Sequence, residues 1–366
     1  MKERVVKWVD RIIRSPVIGL DISDRSIKYV GLKQGQTVAI ELFGEMEVPE
    51  GIIVAGELVR EEQFVTLLRE LTARAGRAFH SSVMVVGLPE EKSFLRLLRL
   101  PQAAPSAVEE AIRWGLEDQI PLPPEDAYFD YELTNPLPGH SGHADAVITA
   151  FPKEIVDAYV NALKEAGLKP VALELECQAI VRSVVKDPRS ADGKIVIDMG
   201  RNRTSFTIFT GGALLFTTTV AVGGRLIETT IAKAIGAGPE EAMRVKKEIG
   251  LAPNAYDGKL YSALLPHMET LSVELGKAVN YYEDQIPRVH GGLARINAIL
   301  LSGGDSNLYG LDTYLASAIH IPVKQADPFV TFRDRMSYLI PPIPKNEALA
   351  FTAAIGLALR GQDTTQ

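Results

Sequence analysis

Asp21 and Asp198 each close a short apolar run, VIGLD and KIVID, and each is followed by a polar turn and a second β-rich run, SIKYVGL and TSFTIF. A carboxylate at the carboxyl end of a strand, beside a turn rich in backbone N–H groups, can hold a phosphate and its hydrated cation. Gly303 and Gly304 end the apolar run INAILLSGG, where a missing Cβ lets a ligand lie against the backbone. A nucleoside triphosphate held between two lobes needs these three things: N–H donors at the phosphates, carboxylates that hold Mg2+ through water, and a close-approach turn for the nucleoside. Each feature alone also has a local explanation, since an Asp at a strand end is commonly a turn residue or cap and a Gly pair commonly a tight turn.

The elements that must position these residues read as a duplication. VIGLDISDRSIKYVGL is a strand, turn, strand unit, and KIVIDMGRNRTSFTIFTGGALLFTTTVAVGG repeats it with a third strand. After the first copy, the helical spacing of EEQFVTLLRELTARAG leads into the strand SSVMVVGLP. From Glu91 the texture changes to FLRLLRLP, a helix SAVEEAIRWGLEDQI, the strands YFDYEL and DAVITAF and a helix KEIVDAYVNALKEAG, which reads as a small α+β unit inserted into the first lobe. The chain returns with KPVALELE and ECQAIVRSVV. After the second copy come a helix pair broken at Gly236 to Pro239, a long helix METLSVELGKAVNYYEDQ, a strand, Gly turn and helix in which Gly303 and Gly304 open the helix, and a final apolar helix ALAFTAAIGLALRG.

Composition narrows the function classes. With 366 residues, 46% of them hydrophobic, the chain can bury a sizeable core in two or more lobes. Its 39 Lys and Arg against 46 Asp and Glu give a net charge of -7, and no basic stripe suits a phosphate backbone, so nucleic acid is not expected as a partner. Cys177 is the only cysteine, which excludes an internal disulfide and fits a reducing cytoplasm. No apolar run approaches the roughly 20 residues of a membrane-spanning helix. The opening stretch MKERVVKWVDRIIRS instead places Val5, Trp8, Val9, Ile12 and Ile13 at helical spacing among Lys2, Arg4, Lys7, Arg11 and Arg14, with a local charge of +3 once Glu3 and Asp10 are counted. It reads as an amphipathic helix that packs on its own domain or docks on a partner or an anionic membrane surface.

VIGLDISDRSIKYV resembles the first phosphate motif of the actin-like ATPase superfamily, IVIDMGRNRTSFTIF the second, and ILLSGGDSNLYGL its adenosine motif; ELECQAIVRSVV and EALAFTAAIGLAL fall where that superfamily has its two connecting helices. Within it, AVGGRLIETTIAKAIG, EEAMRVKKEIG, ELGKAVNYYEDQ and IPVKQADPF resemble the PilM family. The implied fold is α/β, an actin-like duplicated ATPase with two lobes, a nucleotide cleft and an inserted α+β subdomain of the FtsA and PilM type. The implied division is an N-terminal amphipathic helix over 1–15, a first lobe from 16–90, 166–190 and 348–366, an inserted interaction subdomain over 91–165, a second-lobe core from 191–222 and 291–347, and a nucleotide-side subdomain over 223–290.

The resemblance implies ATP or ADP with Mg2+ as ligands. Asp21 and Asp198 would hold the cation through water, Ser23 and Gly200 would line the phosphate turns, and Gly303, Gly304 and Ser306 the adenosine side. Gly223 and Gly224 would allow close passage, and Glu241 and Lys246 would reach ribose or base. The turns depart from the superfamily in carrying Asp24, Arg25, Arg201, Asn202 and Arg203 where small residues are usual; Arg203 would compensate by pairing with phosphate. Glu176 or Gln178 would position water, with at most slow ATPase activity. The implied role is a cytoplasmic ATP-binding assembly platform of type IV pilus machinery, held at the inner face of the membrane by the N-terminal cytoplasmic segment of a PilN-like membrane protein, with self-association as a further expectation. An apolar groove for that segment is expected around Phe94, Leu95, Leu97 and Leu98 beside VMVVGLP. The alternatives are an FtsA-like filament protein, a GspL-like secretion component and a kinase of the same fold.

Overall fold

A computed structural model describes residues 16–34, 37–101, 110–112, 115, 120–134, 143–188, 190, 192–290, 294–338 and 340–363. The opening stretch over 1–15, most of the expected helix over 106–120 and the loop over 135–142 lie outside the described residues. In chain order the strands are β1 (Val17–Ile22), β2 (Ser26–Gln34), β3 (Val38–Glu47), the short hairpin β4 (Ile53–Val54) and β5 (Glu57–Leu58), β6 (Met84–Leu88), β7 (Phe94–Pro101), β8 (Ala127–Thr134), β9 (His143–Pro152), β10 (Pro170–Leu175), β11 (Gly193–Met199), β12 (Thr204–Thr210), β13 (Ala213–Val220), β14 (Ile296–Ser302) and β15 (Val323–Gln325). The helices used below are α1 (Glu61–Ala75), α2 (Arg77–Ser81), α3 (Lys153–Glu165), α4 (Glu176–Val184), α5 (Gly224–Ile235), α6 (Pro239–Glu248), α7 (Lys259–Asn280), α8 (Leu311–Ile319) and α9 (Thr352–Asp363).

Two five-stranded sheets carry the same topology. In the first the order is β3-β2-β1-β6-β10, in the second β13-β12-β11-β14-β15. In each, three antiparallel strands lead into two further parallel ones. The central strands are apolar on both faces because helices cover both: β1 and β6 are buried throughout. A third sheet, β7-β9-β8, is the inserted unit.

The small residues of the last helix have a packing reason. α9 crosses α4 and β1 so closely that a Cβ on Gly356 would collide with the Ala179 carbonyl oxygen, and one on Gly19 with that of Ala354. Gly356→Ala should therefore lower unfolding free energy by about 2 kcal/mol, read as a fall in urea midpoint at unchanged slope. An unchanged midpoint would mean that the two helices do not meet at this distance.

Two elements differ from the sequence reading. The long helix starts at Lys259 rather than near Met268, because buried Leu260 and Leu264 continue the stripe of Met268, Leu271 and Leu275 while Pro266 faces outward. Gly303 and Gly304 do not open a helix; a turn-rich stretch intervenes before α8 at Leu311. Gly303 has φ +89° and its α-carbon lies against the backbone of Met199, so it serves the approach of two backbones.

Candidate functional site

β1 and β11 end in carboxylates at equivalent places: Asp21 stands opposite Lys28 of β2, and Asp198 opposite Ser205 of β12. The cleft between them has a volume of about 690 Å³. Asp21, Ser23, Lys28 and Glu176 line it from the first lobe, and Asp198, Gly200, Arg203, Lys246, Gly303 and Gly304 from the second.

Burial and mutual repulsion govern the carboxylates. Asp21 is 6% exposed, and its Oδ1 has no hydrogen-bond partner. Burial pushes its pKa up to about 6, with Glu45 adding repulsion against the pull of Lys28. Asp198 is pushed up to about 7, by burial first and then by Glu90 and Asp21. Glu176 is raised well above the ordinary carboxylate range by burial and by Asp21 and Asp198. The cation facing this group is Lys28; burial works against its charge, but Asp21, Glu45 and Glu176 outweigh burial and raise its pKa. Its Nζ lies 3.2 Å from Glu45.

Three crowded carboxylates and an unpartnered oxygen fit a site that takes a cation. Among the described residues no group of three or more His, Cys, Asp or Glu is arranged to ligate a metal directly, so these carboxylates suit Mg2+ held through water and phosphate oxygens. Their residue types therefore fit the implied nucleotide and cation.

The remaining candidates are placed differently. Ser23 Oγ donates to the Ser26 carbonyl, 3.1 Å away, and ties the turn after β1 to itself. Ser306 is buried and donates to the Gly303 carbonyl at 2.8 Å, shaping the turn from behind. Gly223 lies against the Asn202 and Arg203 backbone and Gly224 against the Asp305 carboxylate, so both serve packing behind the wall. Glu241 is half-buried and engaged by Arg244 at 2.6 Å, outside the cleft lining. Lys246 does line the wall, buried between Glu228 at 2.7 Å and Asp305, with Arg201 2.5 Å from Glu228. Gln178 is turned away: its Oε1 accepts from the Leu175 N–H and caps α4, which removes it as a water-positioning residue.

Sequence reasoning missed Lys28, Glu45, Glu228 and Asp305. Lys28 had a signal, since a hairpin turning at 23–25 pairs position 28 with Asp21.

Arg203 is not free to meet a ligand. Its Nη1 pairs with Glu91, where the inserted unit begins, and lies 3.8 Å from Asp24. Asp24 accepts from the N–H groups of Ala55 and Gly56 at 3.1 and 3.0 Å, both at positive φ in the β4–β5 turn. The Gly56 carbonyl accepts from the Tyr159 hydroxyl of α3 at 3.0 Å. Polar links thus run from the cleft, across the lobes, to α3.

The other face of α3 walls a second concavity of about 760 Å³, between the inserted sheet and the first lobe. Tyr128 of β8, Val147 and Phe151 of β9, Val156 and Val160 of α3 and Leu173 of β10 contribute its apolar lining. β8 and β10, which border it, are both edge strands. At its base Glu174, almost fully buried, is held by Arg182 at 2.5 and 2.9 Å and by Arg360 at 2.6 Å. The groove expected at β7 is not there: Leu95 and Leu98 face inward into two separate cores, and Phe94 and Leu97 pack against them.

With both concavities placed, comparison with known proteins becomes informative. The family described as type IV pilus assembly protein PilM matches residues 19–362. The chain belongs to the PilM family. Its fold is actin-like, and its role lies in type IV pilus assembly. Among solved structures it is similar to a PilM-PilN type IV pilus biogenesis complex, with TM-score 0.74 and 23% identity over 95% of this chain and 99% of that one. It also resembles MreB5 of Spiroplasma citri bound to ADP, with TM-score 0.58 and 14% identity over 96% and 98% of the two chains. At such identities the likeness concerns the fold. Among curated relatives, the cell division protein FtsA of Escherichia coli K12 is 24% identical over 231 residues, 56% of this chain and 55% of FtsA. The match thus spans about half the length of that relative. For a PilM-family chain the described residues contain no helix long and apolar enough to cross a membrane.

Proposed function

We propose that this protein is an ATP- or ADP-binding platform whose groove between the inserted sheet and the first lobe holds the N-terminal cytoplasmic segment of a PilN-like membrane protein, which keeps it at the inner face of the membrane. The observation that carries the reading is the groove itself. It combines apolar side chains with charged ones, is bordered by two edge strands and is separate from the carboxylate cleft, which suits an extended peptide better than a small substrate. The relative solved with a PilN partner supports this choice of peptide.

In the cleft, Lys28 would meet phosphate, Asp21 and Asp198 would hold hydrated Mg2+, and Gly303 and Gly304 would lie beneath the nucleoside. The Mg2+ of a bound nucleotide would supply a positive charge beside the three carboxylates. Glu176, whose pKa burial and the neighbouring Asp21 and Asp198 raise, is the carboxylate left in the cleft to position water. A segment titration by calorimetry, with thermal melts in Mg-ADP, tests the reading. Saturating nucleotide should stabilise the fold by about 2.7 kcal/mol at a hundredfold excess over Kd. No binding of the segment at any concentration would overturn the platform assignment, and an unshifted melt the nucleotide assignment.

Glu91→Gln would release Arg203 from its nearest carboxylate. Mg-ADP affinity should rise about fivefold, the scale of one partly exposed ion pair. A fall in affinity would show that Glu91 organises the cleft instead.

A further inference from the structure

We infer that Arg25 is a phosphate-binding residue of the cleft, its guanidinium leaving Glu47 and Glu50 for a phosphoryl oxygen of the bound nucleotide. The inference rests on the nucleotide reading above. It adds a charged side chain at a turn where the actin-like superfamily usually carries small residues, so it concerns this chain in particular.

The three arginines that line the cleft differ in how firmly the protein holds them. Arg201 lies 2.5 Å from Glu228, and Arg203 pairs with Glu91 and stands beside Asp24. Arg25 has only distant partners. Its Nη2 is 3.4 Å from Glu47 and its Nη1 is 3.7 Å from Glu50, both longer than the roughly 2.7–2.9 Å of a good charge-assisted bond. Both glutamates are exposed, so water replaces Arg25 at either with little loss. Glu50 also keeps Arg225 of the second lobe, 3.5 Å away.

The same guanidinium carries a donor that the protein leaves unused. Arg25 Nη1 is buried and makes no hydrogen bond; of the described buried side-chain atoms in that state, the other one on a cleft-lining residue is Asp21 Oδ1. One is a donor on a cation, the other an acceptor on a carboxylate. A phosphate that brings its hydrated cation satisfies both, the anion at Arg25 and the cation at Asp21, whereas a neutral ligand or a bare cation leaves the guanidinium unanswered. The turn is fixed for this purpose: the Ser23 N–H donates to the Ser26 carbonyl at 2.9 Å, and the Arg25 carbonyl accepts from the Val48 N–H at 2.9 Å. Asp24, the adjacent carboxylate, is drawn off by the N–H groups of Ala55 and Gly56.

The test measures binding to the full chain by calorimetry, with Mg-ADP, Mg-pyrophosphate and adenosine as probes. Arg25→Ala should weaken Mg-ADP and Mg-pyrophosphate by the same factor, about tenfold or more, and leave adenosine unchanged. Arg25→Lys keeps the charge without the planar fork and should fall between the parent and Arg25→Ala. Glu47→Gln with Glu50→Gln should tighten Mg-ADP about threefold, since the competing carboxylates are exposed. Without ligand the variants should melt with the parent, because the pairs they remove are long and solvated. Mg-ADP affinity unchanged in Arg25→Ala would overturn the proposal, as would adenosine weakened by the same factor, which would make Arg25 a residue that shapes the cleft. Arg25→Lys no tighter than Arg25→Ala would overturn it too. Failure of the parent chain to bind Mg-ADP is a different result, and would overturn the nucleotide reading and this proposal with it.

Discussion

Val160→Glu is expected to weaken binding of the PilN-like segment on the order of 30-fold or more while leaving Mg-ADP affinity unchanged. Val160 lies on the groove side of α3, between Val156 and Lys164, whereas its neighbour Tyr159 is buried in the core beneath. A carboxylate there faces a partner's apolar side chains and has to be desolvated when they arrive. Glutamate is a good helix former, so α3 and its Tyr159 link to Gly56 should persist. Removing the whole unit over 91–165 would be a poor test, because Tyr159 and Leu163 complete the first-lobe core against Phe64. Calorimetry with the segment, and in parallel with Mg-ADP, reads both affinities. Equal segment affinity in the variant would place the peptide elsewhere. Loss of both affinities with an unchanged melt would mean that the two concavities are not separate sites.

Asp198→Asn is expected to do opposite things to the two states of the cleft. Without nucleotide the variant should melt a few degrees higher at pH 8, and with it Mg-ADP affinity should fall 10- to 100-fold, the usual loss when a carboxylate outside the direct metal ligands is removed. The sign follows from linkage. Asp198 ionises near pH 7 in the folded chain rather than at its ordinary 3.8, so between these values the folded state holds a proton that the unfolded state has released. Its contribution to stability is present at pH 4 and is lost as pH rises through about 7. Above that, three crowded carboxylates repel one another with Lys28 as their counter-charge. Asparagine keeps the shape and removes one charge, flattening the decline of melting temperature between pH 5 and 8. Melts across pH with and without Mg-ADP check both arms. A variant less stable than the parent at pH 8 would show that Asp198 is satisfied by its own protein neighbours.

Both experiments rest on features that differ in how far a linear sequence expresses them. The duplicated units were legible because a strand, a tight polar turn and a returning strand are encoded within about twenty neighbouring residues by alternation and turn chemistry. Their order along the chain, with ILLSGG and the small-residue helix at the end, indicated the actin-like fold and the family. The aspartates at the strand ends could be named for the same reason: the position of a side chain on β1 or β11 is a local property.

What faces what was not local. Lys28 meets Asp21 through hairpin register, but its third neighbour, Glu176, arrives from a helix that begins far along the chain. Arg203 was expected at phosphate, and only the approach of the lobes brought Asp24 and Glu91 to it. Gln178 and Glu176 stand two residues apart on one helix, and that helix's orientation alone sends one to the cleft and the other to the groove. The leucines of FLRLLRLP could have lined a groove or a core, since burial leaves the same apolar signature in either case. The pairing of β7 with β9 turned Leu95 and Leu98 inward, and the groove fell instead to β8, β9, α3 and β10. Residue type and local period set which elements form and which side chains carry charge; long-range packing, which joins residues more than a hundred positions apart, decided which charges meet and which apolar side chains stay at the surface.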